Sequence, residues 1–470
     1  MAVFEKEEQR KAGGLDLLEG KILPTLAKLA LPIMATAFVQ MAYNLTDMAW
    51  IGFLGADAVA AIGAAGMYTW LSQGVVSIAK MGGQVCMGQS IGAGRMEDAA
   101  AYLRGALQLC LMLAAGYALL CLSFTPQLIG FFGISDAATA DMAVVYMRIT
   151  CGLIVFPFLN QTLTGLYTSV GDSRTPFLAN CIGLIGNMIF DPVLIFGIGP
   201  FPRMGVAGAA AATVSAQAVV TLVLLWMRGR SRSTVLRETK VFCGMPFAYF
   251  PRIFRIGLPA SLQTMAYCGI SMVLTRLAAM WGDTAIAVQR VGSQIESIAW
   301  MTCDGFAAAV NAFVAQNYGA GHMNRVKRGY LSSLCLMGAW GLITTGILYF
   351  GAGSLVGLFL HDPALIPEGI NYLRIISYGE MFMCLELVTV GALSGLGRTG
   401  LCSVLSMSLT GARIPIALIL SSTALGLSGV WWAFTVSSTI KGIVFTTVFL
   451  ILLHKLMRKT GLHTGACSAG

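Results

Sequence analysis

The sequence predicts an all-α polytopic membrane protein with twelve transmembrane helices in two pseudo-symmetric six-helix lobes. Of its 470 residues, 57% are hydrophobic and only 11% are charged, whereas soluble domains are about 25% charged. Apolar runs of about twenty residues, the length that spans a bilayer, recur from Leu23 to the C-terminus. The second half of the chain also repeats landmarks of the first half.

The apolar runs place the helices in chain order. Their twelve starts lie near Pro24, Ala58, Ala99, Ala138, Pro176, Gly205, Pro251, Thr284, Gly329, Ala364, Leu401 and Leu427. We therefore predict a cytoplasmic N-terminal segment (1–22), an N-lobe with helices 1–6 (23–228), a cytoplasmic linker (229–250), a C-lobe with helices 7–12 (251–456) and a cytoplasmic tail (457–470).

Basic residues predict the orientation. With the N-terminus inside, 22 of the 30 Lys and Arg residues fall in cytoplasmic segments, and the external loops contain only Arg203. Because basic loops remain in the cytoplasm, both termini are predicted to be cytoplasmic, in the inner or plasma membrane of the cell. Topology also explains the net charge of +9, so the lipid bilayer is the predicted partner and nucleic acid is not.

The internal repeat has four landmarks in the same order. At an offset of 226 or 227 residues, the repeat pairs Pro32 with Pro259, Gly92 with Gly319, Arg148 with Arg374, and Gly165 with Gly391. Six helices followed by six equivalent helices give two halves of the same orientation. Two such halves can rock around a central cavity, so the repeat favours a secondary transporter that works by alternating access.

Polar side chains inside the first six helices mark a candidate site, since ionisable groups within a bilayer are costly and usually functional. Asp47 shares one face of helix 1 with Gln40 and Tyr43. On helix 5, Asn187 and Asp191 lie one turn apart.

Two more residues complete this N-lobe set. Asn180 lies one heptad before Asn187, and the Thr213 hydroxyl of helix 6 could turn inward. Carboxylate, amide and hydroxyl oxygens suit an alkali cation, and the two carboxylates could instead hold a proton. The alternative interpretation is structural: Asp47 pairs with Lys80 of helix 2, or the polar residues of helix 5 join neighbouring helices. Lys80 could also extend to the membrane interface.

The C-lobe contains charges of its own. They are Glu296 and Asp304 on helix 8, Glu380 and Glu386 on helix 10, and Arg413 on helix 11. The 226-residue offset matches Glu386 with Asn160, so we expect Glu386, Asn160 and Glu296 to line a cavity with the polar residues of helices 1 and 5.

These residues resemble the multidrug and toxic compound extrusion (MATE) family of cation-coupled exporters. The resemblance covers Gly20 to about Arg458. It rests on "LPIMATAFVQMAYNLTDMAWIGFLG", the two "GAG" turns, the two Y-x-R-I sites, "GLYTSVGDSRTP" and "NMIFDP". It implies two six-helix lobes, antiport driven by Na⁺ or H⁺ without a cofactor, export of amphipathic and often cationic compounds, and a monomer.

The resemblance also assigns residues, in the bacterial and archaeal branch whose ion site lies in the N-lobe. The positions of its ion site are occupied here by Asp47, Asn187, Asp191 and Thr213. Pro32 matches the proline at which helix 1 bends, and Gln40 and Tyr43 match cavity-lining positions. Lys80 departs from the usual small residue and is a candidate ion-pair modulator. Glu296 and Asp304 suggest a second acidic centre.

Two other functions are alternatives to export. A lipid or lipid-linked oligosaccharide flippase of the same superfamily would require a basic, deep cavity, which the acidic N-lobe does not favour. An enzyme is not predicted, because neither H-E-x-x-H nor G-x-S-x-G is present. The sequence does not decide between sodium and proton, and it does not identify the exported compound.

Overall fold

The protein is helical throughout the part of the chain that the structure describes. This structure is a computed structural model, and it describes residues 15–132, 134, 136–198, 201–231, 233–239, 244, 247–358 and 365–466. Within these ranges there are twelve long spans and no β-strand. The predicted fold class is therefore confirmed.

The first half contributes six spans. They are α1 (Ile22–Gly52), α2 (Ala56–Gly92), α3 (Met96–Ser123), α4 in two segments (Ala137–Gly152 and Val155–Ser169), α5 (Arg174–Phe196) and α6 (Val206–Gly229). The two segments of α4 meet at an angle of 44°. Pro157 lies just after this break and cannot donate a backbone hydrogen bond to the preceding turn.

The second half contributes the other six spans. They are α7 (Phe250–Ala279), α8 (Asp283–Gly319), α9 (Met323–Phe350), α10 (Ile366–Gly395), α11 in two segments (Thr399–Gly411 and Arg413–Ser421) and α12 (Leu427–Ala466). Ten of the twelve spans are long and apolar enough to cross a membrane, and the two segments of α4 together make an eleventh. The remaining span, α7, is 30 residues long, but Ser261, Gln263 and Thr264 make its middle more polar.

The predicted helix starts agree with the observed ones to within three residues, except for α9. That helix was predicted to begin near Gly329 and instead begins at Met323. Its first two turns contain Arg325, Lys327 and Arg328. An apolar run locates the part of a helix inside the bilayer, so it omits charged turns that extend beyond it.

The chain divides into two compact units that do not follow the chain halves at α1 and α7. The first unit includes 31–261, and the second includes 17–30 and the chain from Leu262 onward. The predicted lobes begin at 23 and 251, at the start of each helix. The units instead divide α1 between Ala30 and Leu31, and α7 between Ser261 and Leu262.

In the first unit, small residues bring α5 and α6 into close contact. A β-carbon at Gly208 of α6 would overlap the backbone of Leu194, and one at Gly183 of α5 would overlap the Val220 side chain. Small residues at helix contacts allow backbones to approach closely within a membrane. This approach packs α5 directly against α6.

Candidate functional site

The candidate site is centred on two residues of α5. Asn187 and Asp191 are fully buried, and the Asn187 Nδ2 donates a hydrogen bond to the Asp191 Oδ1 at 3.1 Å. Their i, i+4 spacing puts both on one face of the helix. The other oxygens of this pair, Asn187 Oδ1 and Asp191 Oδ2, are buried and accept no hydrogen bond.

Helix α1 contributes a second carboxylate and a phenol. Tyr43 is buried and Asp47 is half-buried. The Asp47 carboxylate lies near the Asp191 carboxylate and the Tyr43 hydroxyl. The Tyr43 hydroxyl and Asp47 Oδ1 are also buried without a hydrogen-bond partner.

Two further hydroxyl groups come from α6 and α4. Thr213 lies beside the hydroxyls of Tyr43 and Tyr146, although its own Oγ1 makes no hydrogen bond of normal geometry. Tyr146 is buried and lies near both Asp47 and Asp191. Tyr146 was not predicted as a site residue, because its Y-x-R-I motif indicates only a landmark of the repeat.

The structure thus brings together the four residues that were predicted to bind the coupling ion. Each of five residues in this region, Tyr43, Asp47, Asn187, Asp191 and Thr213, contributes one buried oxygen without a hydrogen-bond partner. We call them the oxygen cluster. Buried polar atoms are nearly always paired, and two neighbouring carboxylates repel each other unless a cation or proton lies between them. The cluster therefore suits a small cation or a proton.

A narrow cleft adjoins the oxygen cluster. It measures about 10 Å³, and Gln40, Tyr43, Asn180 and Gln217 are its polar lining residues. The first three were predicted to line a cavity, whereas Gln217 was not. A space of this size accommodates about one water molecule. Tyr43 belongs to both the cleft and the oxygen cluster, so it connects them.

Asn160 uses its polar atoms to join α4 to α6. Its Nδ2 donates to the Gln217 carbonyl oxygen at 2.9 Å and to the Gln217 Oε1 at 2.7 Å. Its Oδ1 accepts a hydrogen bond from the Thr221 hydroxyl at 2.7 Å. These contacts hold the second segment of α4 (Val155–Ser169) against α6, at the residue that lines the cleft, Gln217.

Lys80 and Pro32 also lie in the first unit. The Lys80 Nζ donates to the Gln161 Oε1 of α4 at 3.3 Å, and its aliphatic stem lies near Gly165. Helix α1 continues through Pro32, whose carbonyl oxygen accepts a hydrogen bond from the Thr36 hydroxyl at 2.9 Å. The pairing of Lys80 with Asp47 and the bend at Pro32 stay predictions.

In the second unit, Glu386 forms a buried ion pair. Lys441 Nζ lies 2.8 Å from Glu386 Oε1, and the two side chains are only 6% and 7% exposed. Glu296 lies near the Tyr372 hydroxyl and Arg413. Glu386, which was predicted to line the cavity, is therefore neutralised by Lys441, a partner that was not predicted.

The fold and these sites define the class of protein. A helical membrane protein that is built from two repeated six-span halves, with unpaired oxygen atoms buried inside one half, has the design of a secondary transporter.

The family model of MatE matches residues 32–193 and 259–419, so the chain belongs to this family, the one that the sequence resembles. The two matched ranges begin at Pro32 and Pro259, the prolines that the internal repeat aligns. Membership places the chain among transporters rather than enzymes.

Curated relatives and solved structures cover nearly the whole chain. A protein of Thermotoga maritima named "Probable multidrug resistance protein NorM" is 27% identical over 87% of this chain and 88% of its own. The "FAD transporter" of Shewanella oneidensis is 27% identical over 91% of this chain and 94% of its own. A structure titled "Outward-facing conformation of a multidrug resistance MATE family transporter of the MOP superfamily" matches with a TM-score of 0.87 and 23% identity. It covers 95% of this chain and 99% of that one, which supports the twelve-helix fold.

Proposed function

We propose that this protein is a secondary exporter that couples entry of Na⁺ or H⁺ to expulsion of amphipathic, cationic organic compounds. The observation that carries this proposal is the oxygen cluster, because five buried oxygens without partners are costly unless a cation or proton binds there. The multidrug names of several relatives support the same substrate class. The chain acts as a monomer with both termini in the cytoplasm.

Coupling depends on Tyr43 and Asp47, which lie one turn apart on α1. Asp47 belongs to the oxygen cluster, and Tyr43 belongs to both the cluster and the cleft. A cation or proton at Asp47 and Asp191 changes the charge beside the Tyr43 hydroxyl, and with it the affinity of the cleft for a cationic compound. Bending of α1 at Pro32 transmits this change, because a proline lowers the cost of a helix kink. The two lobes then open alternately to the two sides of the membrane.

A flavin nucleotide is the second candidate substrate. The specific observation is the relative named "FAD transporter", which aligns with 91% of this chain. FAD is anionic, so its export would require a basic contact that the acidic oxygen cluster does not offer. The same vesicle assay separates the two substrate classes and also tests the flippase alternative.

The test uses purified protein in liposomes with an imposed sodium gradient or an imposed pH gradient. The probes are a fluorescent organic cation, FAD and a fluorescent lipid. Asp47→Asn removes one carboxylate of the cluster. Asp57→Asn is the matched control, because it makes the same substitution at an exposed acid at the start of α2.

We expect one of the two gradients to drive efflux of the organic cation. Asp47→Asn is expected to abolish this efflux, and Asp57→Asn is expected to preserve it. Efflux that survives in Asp47→Asn would contradict coupling at the oxygen cluster. Transport of FAD or of the lipid, without transport of the cation, would support the respective alternative instead.

A further inference from the structure

Arg374, in the second of the two Y-x-R-I sites, is an exposed charge that the proposed function does not use. It lies eight residues after the start of α10, which is about 12 Å along the helix. Because the 30 residues of α10 extend about 45 Å and the hydrocarbon core is about 30 Å thick, this arginine lies near a membrane interface. A long basic side chain at that depth reaches the headgroups.

The surface around Arg374 faces lipid. Glu380, one of the buried acids of this unit, lies on the opposite side of α10 from Tyr378, because the two are two residues apart. Tyr378 is 49% exposed, and the exposed residues on the adjoining part of α9 are apolar, namely Ile343, Ile347 and Phe350. Apolar side chains of this kind are compatible with lipid tails.

Three aromatic side chains gather around the Arg374 guanidinium. It lies over the Tyr349 ring of α9, 5.5 Å from the ring centroid. The Tyr378 ring, one turn further along the same face of α10, is 5.7 Å from the Tyr349 ring. Tyr378 also stacks on Trp432 of α12, at 5.8 Å and an interplanar angle of 16°. We call these four residues the interface cluster.

The polar groups of the interface cluster converge. The Tyr378 hydroxyl lies beside the Tyr349 hydroxyl and near Arg374. A ring that covers one face of a guanidinium leaves the N–H groups at its edge available for binding. The cluster therefore presents a cation and two phenol hydroxyls to one point on the surface.

Hydrogen bonds fix the backbone beneath the interface cluster. The Thr345 hydroxyl of α9 donates to the Ser377 carbonyl oxygen of α10 at 2.9 Å. The Thr435 hydroxyl of α12 donates to the Ile375 carbonyl oxygen of α10 at 2.7 Å. The three helices that carry the cluster are thus joined at its level, and groups that are already in place lose little freedom on binding.

The charge of Arg374 is not neutralised within the part of the chain that the structure describes. The ion pairs found there are Arg95 with Asp98, Arg237 with Glu238, and Lys441 with Glu386. A guanidinium with two neighbouring hydroxyls is complementary to an anion with several oxygens, and phosphate is the anion that arginine binds through two parallel hydrogen bonds. The charge therefore favours a phosphate ligand.

The repeat shows that the aromatic groups are specific to the second half. Arg148 matches Arg374 at the 226-residue offset and is also exposed, but among the described residues no ring lies beneath its guanidinium. Gly152 stands at the position that matches Tyr378, and a β-carbon there would lie 3.5 Å from the Leu122 side chain. The first half thus has the arginine with apolar neighbours and without the hydroxyls. A structural role common to both arginines does not explain the interface cluster.

We propose that the interface cluster binds the phosphodiester of a membrane phospholipid, in the leaflet that adjoins the first turns of α10 and α12. Arg374 pairs with two phosphate oxygens, and the hydroxyls of Tyr349 and Tyr378 donate to the same group. Trp432 supports the Tyr378 ring at the depth where indoles are enriched in membrane proteins. The acyl chains lie along the exposed apolar residues of α9. This lipid site is separate from the export that we propose.

The test counts phospholipids on the purified protein by native mass spectrometry. Phosphatidylglycerol is the probe, because the phosphodiester is its only charge. Arg374→Gln removes the cation, Arg374→Lys keeps the charge without the paired donors, and Tyr378→Phe removes one hydroxyl while keeping the ring on Trp432. Arg148→Gln is the matched control, because it makes the same substitution at the exposed, equivalent position of the first half.

We expect the parent to bind one phosphatidylglycerol more tightly than any other. Arg374→Gln should weaken this binding at least about tenfold and Tyr378→Phe about fivefold, as expected for hydrogen bonds to a charged group. Arg374→Lys should fall between the parent and Arg374→Gln. Arg148→Gln should bind within about twofold of the parent, because no aromatic cluster surrounds that arginine.

Several results would overturn the proposal. They are equal weakening by Arg148→Gln and Arg374→Gln, unchanged binding in Arg374→Gln, and unchanged binding in Tyr378→Phe. Tyr378→Phe alone decides the question if Arg374→Gln does not fold. Diacylglycerol, which lacks the phosphate, should bind without sensitivity to these substitutions.

Soluble glycerol phosphate distinguishes a lipid from free phosphate. We expect it to compete only weakly, because it lacks the acyl chains. Competition as strong as that of phosphatidylglycerol would mean that the cluster binds free phosphate and would refute the lipid site. Transport is not measured in these experiments, so their outcome does not depend on whether the proposed export is correct.

Discussion

The ion pair between Glu386 and Lys441 gives the sharpest prediction about stability. Their charged atoms are 2.8 Å apart, and both side chains are more than nine-tenths buried. Lys441→Met keeps the length of the side chain but removes its charge, so the Glu386 carboxylate stays buried without its cation. Breaking a buried pair on one side costs about 3–5 kcal/mol.

This cost can be converted into a melting temperature. For a folded unit of roughly 200 residues, each kcal/mol shifts the midpoint of unfolding by about 2–4 °C. Lys441→Met should therefore lower the midpoint by about 6–20 °C. The assay is thermal unfolding of the purified protein in detergent, followed by a thiol-reactive dye that reports newly exposed cysteines.

The double variant Lys441→Met with Glu386→Gln is the decisive control. Replacing both charges leaves no unpaired ion, and such replacements are often neutral. The double variant should therefore recover most of the lost stability. Two results would refute this view of the pair: a midpoint of unfolding of Lys441→Met equal to the parent's, or a midpoint of the double variant no higher than that of Lys441→Met.

Three further predictions concern the first unit. Gly208→Val should push α6 away from Leu194 of α5 and cost about 1–3 kcal/mol, measured as a lower midpoint of thermal unfolding with weaker sodium or proton dependence of transport. Asn160→Ala removes three hydrogen bonds between α4 and α6 and should cost about 1–3 kcal/mol, whereas a midpoint equal to the parent's would contradict its role between α4 and α6. Asp136, outside the membrane-spanning segments, has its pKa lowered by hydrogen bonds from the Thr139 side chain and backbone. The Asp136 carboxylate therefore stabilises the fold above its unfolded-state pKa, and this stabilisation is lost as pH falls through its folded-state pKa. The midpoint of thermal unfolding of Asp136→Asn should then differ less between pH 7 and pH 3 than the midpoint of the parent does.

Much of the fold could be predicted because a bilayer imposes a simple length rule on helices. Runs of about twenty apolar residues located all twelve spans. The same rule failed at the start of α9, where charged turns extend the helix beyond the apolar run. It also did not locate the boundaries of the two compact units, which fall inside α1 and α7 rather than at their starts, because apolarity does not specify which neighbour a helix packs against.

The candidate site was predictable to the extent that its residues stand out from an apolar background. Asp47, Asn187 and Asp191 are conspicuous in this respect, and the structure places them together. Tyr146 and Gln217 were missed because a single amphipathic or amide residue in a helix has many structural explanations. Lys441 was not assigned as the partner of Glu386 because the two are 55 residues apart, on helices whose packing is visible only in three dimensions.

The central claim is that a proton or sodium ion and an organic cation compete through the oxygen cluster. The most direct test is binding of a fluorescent organic cation to the purified protein, measured as a function of pH and of sodium concentration. We predict that its affinity for the parent falls as one of these two ions becomes more concentrated, and that Asp191→Asn removes this dependence. The same ion dependence in Asp191→Asn as in the parent would contradict the claim.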